Sequence, residues 1–251
     1  MRKPKMSKIL KNGKAMFLAY DHGLEHGPTD FNDKDVDPRY IIDIAKKGKF
    51  NALIFQKGVA EKYNDQIKES KVPLIVKLNG KTNLYKGEPV SKQICSVKEA
   101  MDLGAVAVGY TLYIGSRFES VMMQEFDKIE EEAHKHGLPV IAWIYPRGKS
   151  VEKMKPAQLM AYAARTALEI GADLVKIKYE GKFKDLKWTV ESAGRTKVFI
   201  AGGTKEGEKQ FLKQVKEIMD AGCSGLAVGR NVWQSENPIE LSERIKEIIW
   251  E

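Results

Sequence analysis

Cysteine is scarce in this chain. Two occur among 251 residues, Cys95 and Cys223, with neither the paired spacing of a zinc site nor the density of a disulfide framework. That scarcity points to a reduced, cytoplasmic setting. Long apolar runs are missing as well. No stretch approaches the ~20 residues of a membrane-spanning helix, and the basic opening MRKPKMSKIL has no apolar run after it to read as a secretory signal. The net charge of +8 admits nucleic acid, an acidic membrane surface or anionic metabolites as partners. However, Lys and Arg alternate with Glu and Asp, as in EFDKIEEEAHKH and LSERIKEIIWE, and no continuous basic run or RNA-binding aromatic motif occurs. Neither nucleic acid nor membrane is expected as a partner. Phosphate esters suit the lysine excess.

What the chain does contain is a repeated phrase: a helix end, a glycine, then a short apolar strand. It appears as AKKGKFNALIF, AMDLGAVAVGY, EAHKHGLPVIAW, ALEIGADLVKI and IMDAGCSGLAV. Gly48, Gly104, Gly137, Gly171 and Gly222 stand where a helix end calls for a left-handed residue. The apolar runs after them are short and rich in β-branched or small residues, as expected of strands buried on both faces. Eight such runs are predicted, near 15–20, 52–56, 73–78, 105–110, 139–144, 173–178, 197–201 and 225–229. Helical periodicity fills 115–136, 156–170, 206–221 and 238–249, the last opening on Pro238.

Alternating strands and helices require parallel pairing with right-handed crossovers. Eight units in 251 residues match an α/β fold of the (β/α)8 TIM-barrel type, a single domain spanning 1–251. A doubly wound open sheet is the competing architecture. Its dinucleotide-binding version is disfavoured, since no G-x-G-x-x-G follows the first strand.

In a barrel, chemistry gathers at the C-terminal ends of the strands. In DLVKIK, alternation places Leu174, Lys176 and Lys178 on one face, with Val175 and Ile177 on the helix side. Two lysines then point inward. A buried ammonium either pairs with a carboxylate or loses its proton, and a neutral amine attacks carbonyls. Lys77, in PLIVKLNGK, sits in an equally apolar strand, and composition does not rank it below Lys176. Trp143 and Tyr145 of WIYPRG share a face on the neighbouring strand, and Arg147 follows two residues on. Asp21, directly after the first strand in YDHGLEHGP, is positioned to hold a lysine charge. His22 and His26 in the same loop lack a clear third ligand, so no metal is expected. The AGG of 201–203 and the pair Gly229 and Arg230 end strands seven and eight, where barrels often bind phosphate.

With these residues in view, the chain resembles the archaeal-type class I fructose-bisphosphate aldolases. The similar segments are AYDHGLEHGP at 19–28, LIFQKGVAEKY at 53–63, VPLIVKLNGKT at 72–82, WIYPRG at 143–148, AYAARTALEIGAD at 161–173, VKIKY at 175–179, AGG at 201–203 and AVGRNVW at 227–233. The resemblance implies a (β/α)8 enzyme of carbohydrate metabolism that uses a Schiff base and no metal or other cofactor. It makes Lys176 the Schiff-base lysine, Tyr145 the proton donor and Asp21 the third catalytic residue. Substrate contacts implied in the same way are His22, His26, Trp143, Arg147, Lys178, Ala201, Gly202, Gly203, Gly229 and Arg230. The implied partners are phosphorylated sugars and further copies of the chain, in a large homo-oligomer. One departure stands out: Ala201 occupies a position where the family pattern has serine. That removes one phosphate hydrogen bond while leaving the backbone donors. Another sugar phosphate as substrate, or a phosphate-binding barrel with an inert lysine, are the alternatives.

Overall fold

The computed structural model describes residues 3–180, 182–203 and 205–251. Thr204, inside the AGGTK run, lies outside the described residues. Eight parallel strands close into a barrel: β1 (Ala15–Ala19), β2 (Ala52–Gln56), β3 (Leu74–Lys77), β4 (Ala105–Leu112), β5 (Val140–Ile144), β6 (Leu174–Lys178), β7 (Lys197–Ala201) and β8 (Gly225–Val228). Closure is made by β8 pairing β1, with Ala15 opposite Gly225 and Leu18 opposite Val228. This excludes the open sheet. Neighbours in sequence are neighbours in space, as right-handed β-helix-β units dictate.

Alternation sorts the strand residues. Phe17, Ile54, Ile75, Ile141, Trp143, Leu174 and Phe199 fill the barrel interior, with Phe17 and Phe199 stacked at 4.8 Å. Leu18, Leu53, Val76, Val108, Val175 and Leu226 face outward into the larger cluster under the helices. Each such side chain contributes about 1.5–3 kcal/mol by leaving water. The helices bury matching faces. Pro38–Lys47 starts on Asp37, whose side chain accepts the backbone N–H of Arg39, and buries Ile41, Ile42, Ile44 and Ala45. Pro238 occupies the first turn of Pro238–Trp250.

Several expectations are corrected. Gly104, Gly137, Gly171 and Gly222 have positive φ, but Gly48 does not: its φ is −73°, and Lys49 takes the left-handed position at +53°. Glycine is needed at 48 for a different reason, since a Cβ there would lie 2.8 Å from the ring of Phe50. Strand β4 runs to Leu112, and the helix after it begins only at Glu119. Between β3 and β4 the chain forms a two-stranded ribbon, Asn79–Gly80 against Lys92–Gln93, that the apolar pattern gave no sign of.

The barrel interior is shaped around one indole. A Cβ on Gly109 would fall 1.3 Å from the ring of Trp143, so the bare backbone of β4 is what admits that ring. Gly109→Ala is expected to cost about 1–3 kcal/mol, the range for overpacking a filled core, and to lower turnover by displacing the indole. Urea denaturation monitored by tryptophan fluorescence, with wild-type stability as the contrary result, checks this.

Candidate active site

Inward positions change character toward the C-terminal end of the barrel. Below lie Ile75, Leu174 and Trp143; one step up the strands come Lys77, Lys176 and Tyr145, with Asp21 just past β1. Asp21, Lys77 and Lys176 are all buried, at 5, 5 and 6% exposure. One carboxylate thus faces two lysines inside the protein. Lys77 Nζ lies 3.2 Å from Asp21 Oδ2, a direct ion pair. Lys176 Nζ stands back at 3.9 Å from Oδ1 and sits over the Trp143 ring, 5.4 Å from its centroid.

The electrostatics follow from this crowding. Burial alone would raise the Asp21 carboxyl, but Lys176 and Lys77 outweigh it and hold the group below the ordinary carboxylate range. Burial pushes the Lys176 ammonium pKa down; Asp21 opposes that, Lys77 adds to it, and the net direction is down. Burial, reinforced by Asp21 and Glu25, pushes the Tyr145 hydroxyl well above its usual value, so it stays protonated and able to donate. Burial takes His22 down to about 4, so its ring is neutral at neutral pH.

These groups open onto a cavity of about 310 Å³ lined by Asp21, His22, Glu25, His26, Lys77, Tyr145, Arg147, Lys176, Lys178, Ala201, Gly202, Gly203, Gly229 and Arg230, among others. The volume suits a small metabolite. Trp143 is not on the cavity wall; it lies fully buried beneath Lys176. Lys178 points the way alternation requires but, against the expectation of burial, reaches the rim. Its side chain is 54% exposed and pairs with Glu180, because the strand has by then risen past the barrel's packed layers.

Two acids in the loop after β1 organise the rim, and neither stood out in the sequence. Glu25 accepts from Arg147 Nη1 at 2.7 Å, and the guanidinium packs 5.3 and 5.5 Å from the rings of Tyr113 and Tyr145. Asp30 holds His26 Nδ1 at 2.5 Å and Arg230 Nη1 at 3.2 Å. The only sequence signal for them was their place in a loop after a barrel strand. Beside that loop on the rim, the backbones after β7 and β8 meet closely: a Cβ on Gly202 would lie 3.2 Å from Val228 Cα. The Gly202 N–H donates to Ala227 O, and Asn231 Nδ2 donates to Gly202 O at 2.6 Å. Gly203 follows with φ +67°, on the wall of the same cavity as Arg230.

Among the described residues, no cluster of three His, Cys, Asp or Glu side chains is arranged to hold a metal ion. No helix among them is long and apolar enough to cross a membrane.

Comparison with known proteins gives this arrangement a lineage. A fructose-bisphosphate aldolase class 1 from Thermoproteus tenax is 49% identical over 243 residues, covering 96% of this chain and 91% of the relative. A fructose-bisphosphate aldolase/6-deoxy-5-ketofructose 1-phosphate synthase from Methanocaldococcus jannaschii is 38% identical over 256 residues, covering 96% and 81%. An archaeal fructose-1,6-bisphosphate aldolase has been solved with its catalytic lysine covalently bound to the carbinolamine intermediate of the substrate. It matches with a TM-score of 0.93 at 48% identity over 98% of both chains. The profile of the DeoC/LacD family aldolases matches residues 15–235, and the chain belongs to that family.

Proposed function

We propose that this protein is a class I fructose-bisphosphate aldolase, a carbon–carbon lyase working through a Schiff base on Lys176. The observation that carries the proposal is a buried lysine with a depressed pKa, sharing its one close carboxylate with a second lysine, at the floor of a cavity rimmed by arginines. Burial favours the uncharged amine there, and an uncharged amine is a nucleophile toward carbonyls.

In the proposed cycle, Lys176 Nζ adds to the C2 ketone of fructose 1,6-bisphosphate. The carbinolamine loses water to a protonated imine, with Asp21 stabilising the charge and assisting the proton transfers. The imine accepts the electron pair of the C3–C4 bond as that bond breaks and the C4 hydroxyl passes its proton to the Asp21 carboxylate, which later restores the Tyr145 hydroxyl. Glyceraldehyde 3-phosphate leaves. The enamine carbon then takes a proton from Tyr145, and water cleaves the imine to free dihydroxyacetone phosphate and the lysine. The reverse direction condenses the two trioses.

Remote groups do the positioning. Arg147 and Arg230 stand at separate points on the rim, which suits a substrate with a phosphate at each end. Gly203, Gly229 and Arg230 take one phosphate in this reading and Arg147 the other, with His22, His26 and Lys178 contacting the sugar between. Trp143 acts from beneath Lys176. Self-association belongs to the same proposal: Met154, Tyr162 and Trp188 open onto one surface hollow outside the barrel, on the helices Pro156–Glu169 and Phe183–Ser192 and the turn before them.

The test is a coupled assay of triose release from fructose 1,6-bisphosphate, with and without EDTA. Cleavage at an unchanged rate in EDTA is the expected result. No triose release by folded protein contradicts the assignment. The second name of the M. jannaschii relative favours one other reading, a Schiff-base aldolase for a different sugar phosphate, which predicts adduct formation without this cleavage.

A further inference from the structure

Composition and alternation left Lys77 and Lys176 unranked, the family resemblance pointed to Lys176, and the geometry separates the two. From that geometry we infer that Lys77 is a positioning residue: it occupies Asp21 as a fixed counter-ion and thereby keeps the Lys176 amine free for the carbonyl. This rests on the aldolase reading of the site.

Asp21 has two oxygens and two lysine neighbours, but they are not used alike. Lys77 Nζ is within direct ion-pair distance of Oδ2, at 3.2 Å, whereas Lys176 stands 3.9 Å from Oδ1. Both lysine side chains are nearly removed from water, at 6 and 8% exposure. A second ammonium there would leave one full positive charge uncompensated in a buried space, which is far costlier than releasing a proton.

The other charged groups facing the pair do not relieve this. Glu25 is committed to Arg147 at 2.7 Å. His22 and Tyr145 are neutral at neutral pH, and Lys178 is engaged with Glu180 at the rim. With Lys77 paired directly to Asp21, Lys176 is the lysine without a close counter-ion of its own. The same contact fixes the Asp21 carboxylate beside the reacting nitrogen. Remove Lys77, and Asp21 has Lys176 as its remaining buried cation, so the nucleophile becomes a salt-bridge partner instead.

This assignment predicts a shift along the pH axis, which a merely structural role does not. Lys77→Gln and Lys77→Arg are compared with wild type by the rate at which dihydroxyacetone phosphate and borohydride trap an adduct on Lys176, measured across pH. Thermal melts confirm that each variant is folded. In Lys77→Gln the rising limb of the profile moves to higher pH. Trapping at neutral pH falls roughly 10- to 100-fold, the equivalent of one to two pKa units, and recovers in alkaline solution. Lys77→Arg keeps a cation and leaves the limb near its wild-type position. A drop by the same factor at every pH overturns the inference, as does an adduct on Lys77 in wild type. Failure of wild-type protein to form any adduct instead overturns the aldolase reading on which the inference rests.

Discussion

Lys176→Met is expected to abolish turnover, by about 10⁴-fold or more, the scale on which loss of a covalent nucleophile is felt, while leaving the fold at least as stable as wild type. The second half is the unusual part. Removing a buried charge commonly destabilises, because its partner is left unpaired. Here the partner of Asp21 is Lys77, 3.2 Å away, and it remains. The folded protein lowers the Lys176 pKa below its ordinary 10.5, so at pH values under the folded pKa the protonated lysine works against folding. That penalty fades as pH rises toward 10.5. Methionine fills a similar volume without it. Steady-state kinetics and urea denaturation on one preparation test both halves. Retained turnover, or a large loss of stability, goes against this description of the site.

Asp21→Asn is expected to damage both properties. It leaves two lysines without their shared carboxylate in a site that is only 5% exposed at that position, and breaking a buried pair in this way costs about 3–5 kcal/mol. The pH dependence gives the sign. The folded protein holds Asp21 below its ordinary 3.8 because Lys176 and Lys77 outweigh the effect of burial. Its stabilisation is therefore complete above that value and fades as pH falls through the depressed folded pKa. Unfolding free energies should differ between wild type and variant by several kcal/mol at neutral pH and converge in strong acid. Activity should fall as well, since the carbinolamine loses its neighbouring anion. A variant as stable as wild type at neutral pH goes against the ion-pair account.

Only one of the two substitutions is expected to lower stability although the side chains are neighbours, which makes them informative as a pair. The contrast depends on the second lysine, which alternation and composition had no means of ranking. PLIVKLNGK and DLVKIK each put a lysine in an apolar strand. Which of the two touches Asp21 depends on the height each reaches in the closed barrel, a property of shear and register rather than of either strand alone.

The strands themselves were legible because burial on both faces leaves short, β-branched runs that turn residues delimit. Inward orientation at Lys176 followed from alternation. Alternation also placed Lys178 inward, but it carries no information about where the packed layers stop, so the exposure of Lys178 was not readable. Glu25 and Asp30 were missed for a different reason. Their partners Arg147 and Arg230 lie 122 and 200 residues away, and such pairings come from how a loop folds over the barrel mouth. The ribbon of Asn79–Gly80 and Lys92–Gln93 was missed because two-residue strands have no period to detect. Gly48 shows the limit of reading a glycine by position: its bare Cα serves the ring of Phe50, while a lysine accepts the left-handed turn.

The account stands most directly on the covalent bond to Lys176. Incubation with dihydroxyacetone phosphate and sodium borohydride, with and without EDTA, followed by peptide mass spectrometry, reads that bond. The predicted result is a reduced adduct on the peptide bearing Lys176, in equal yield with the chelator present. An unmodified Lys176 in folded protein, or an adduct located on Lys77, contradicts it.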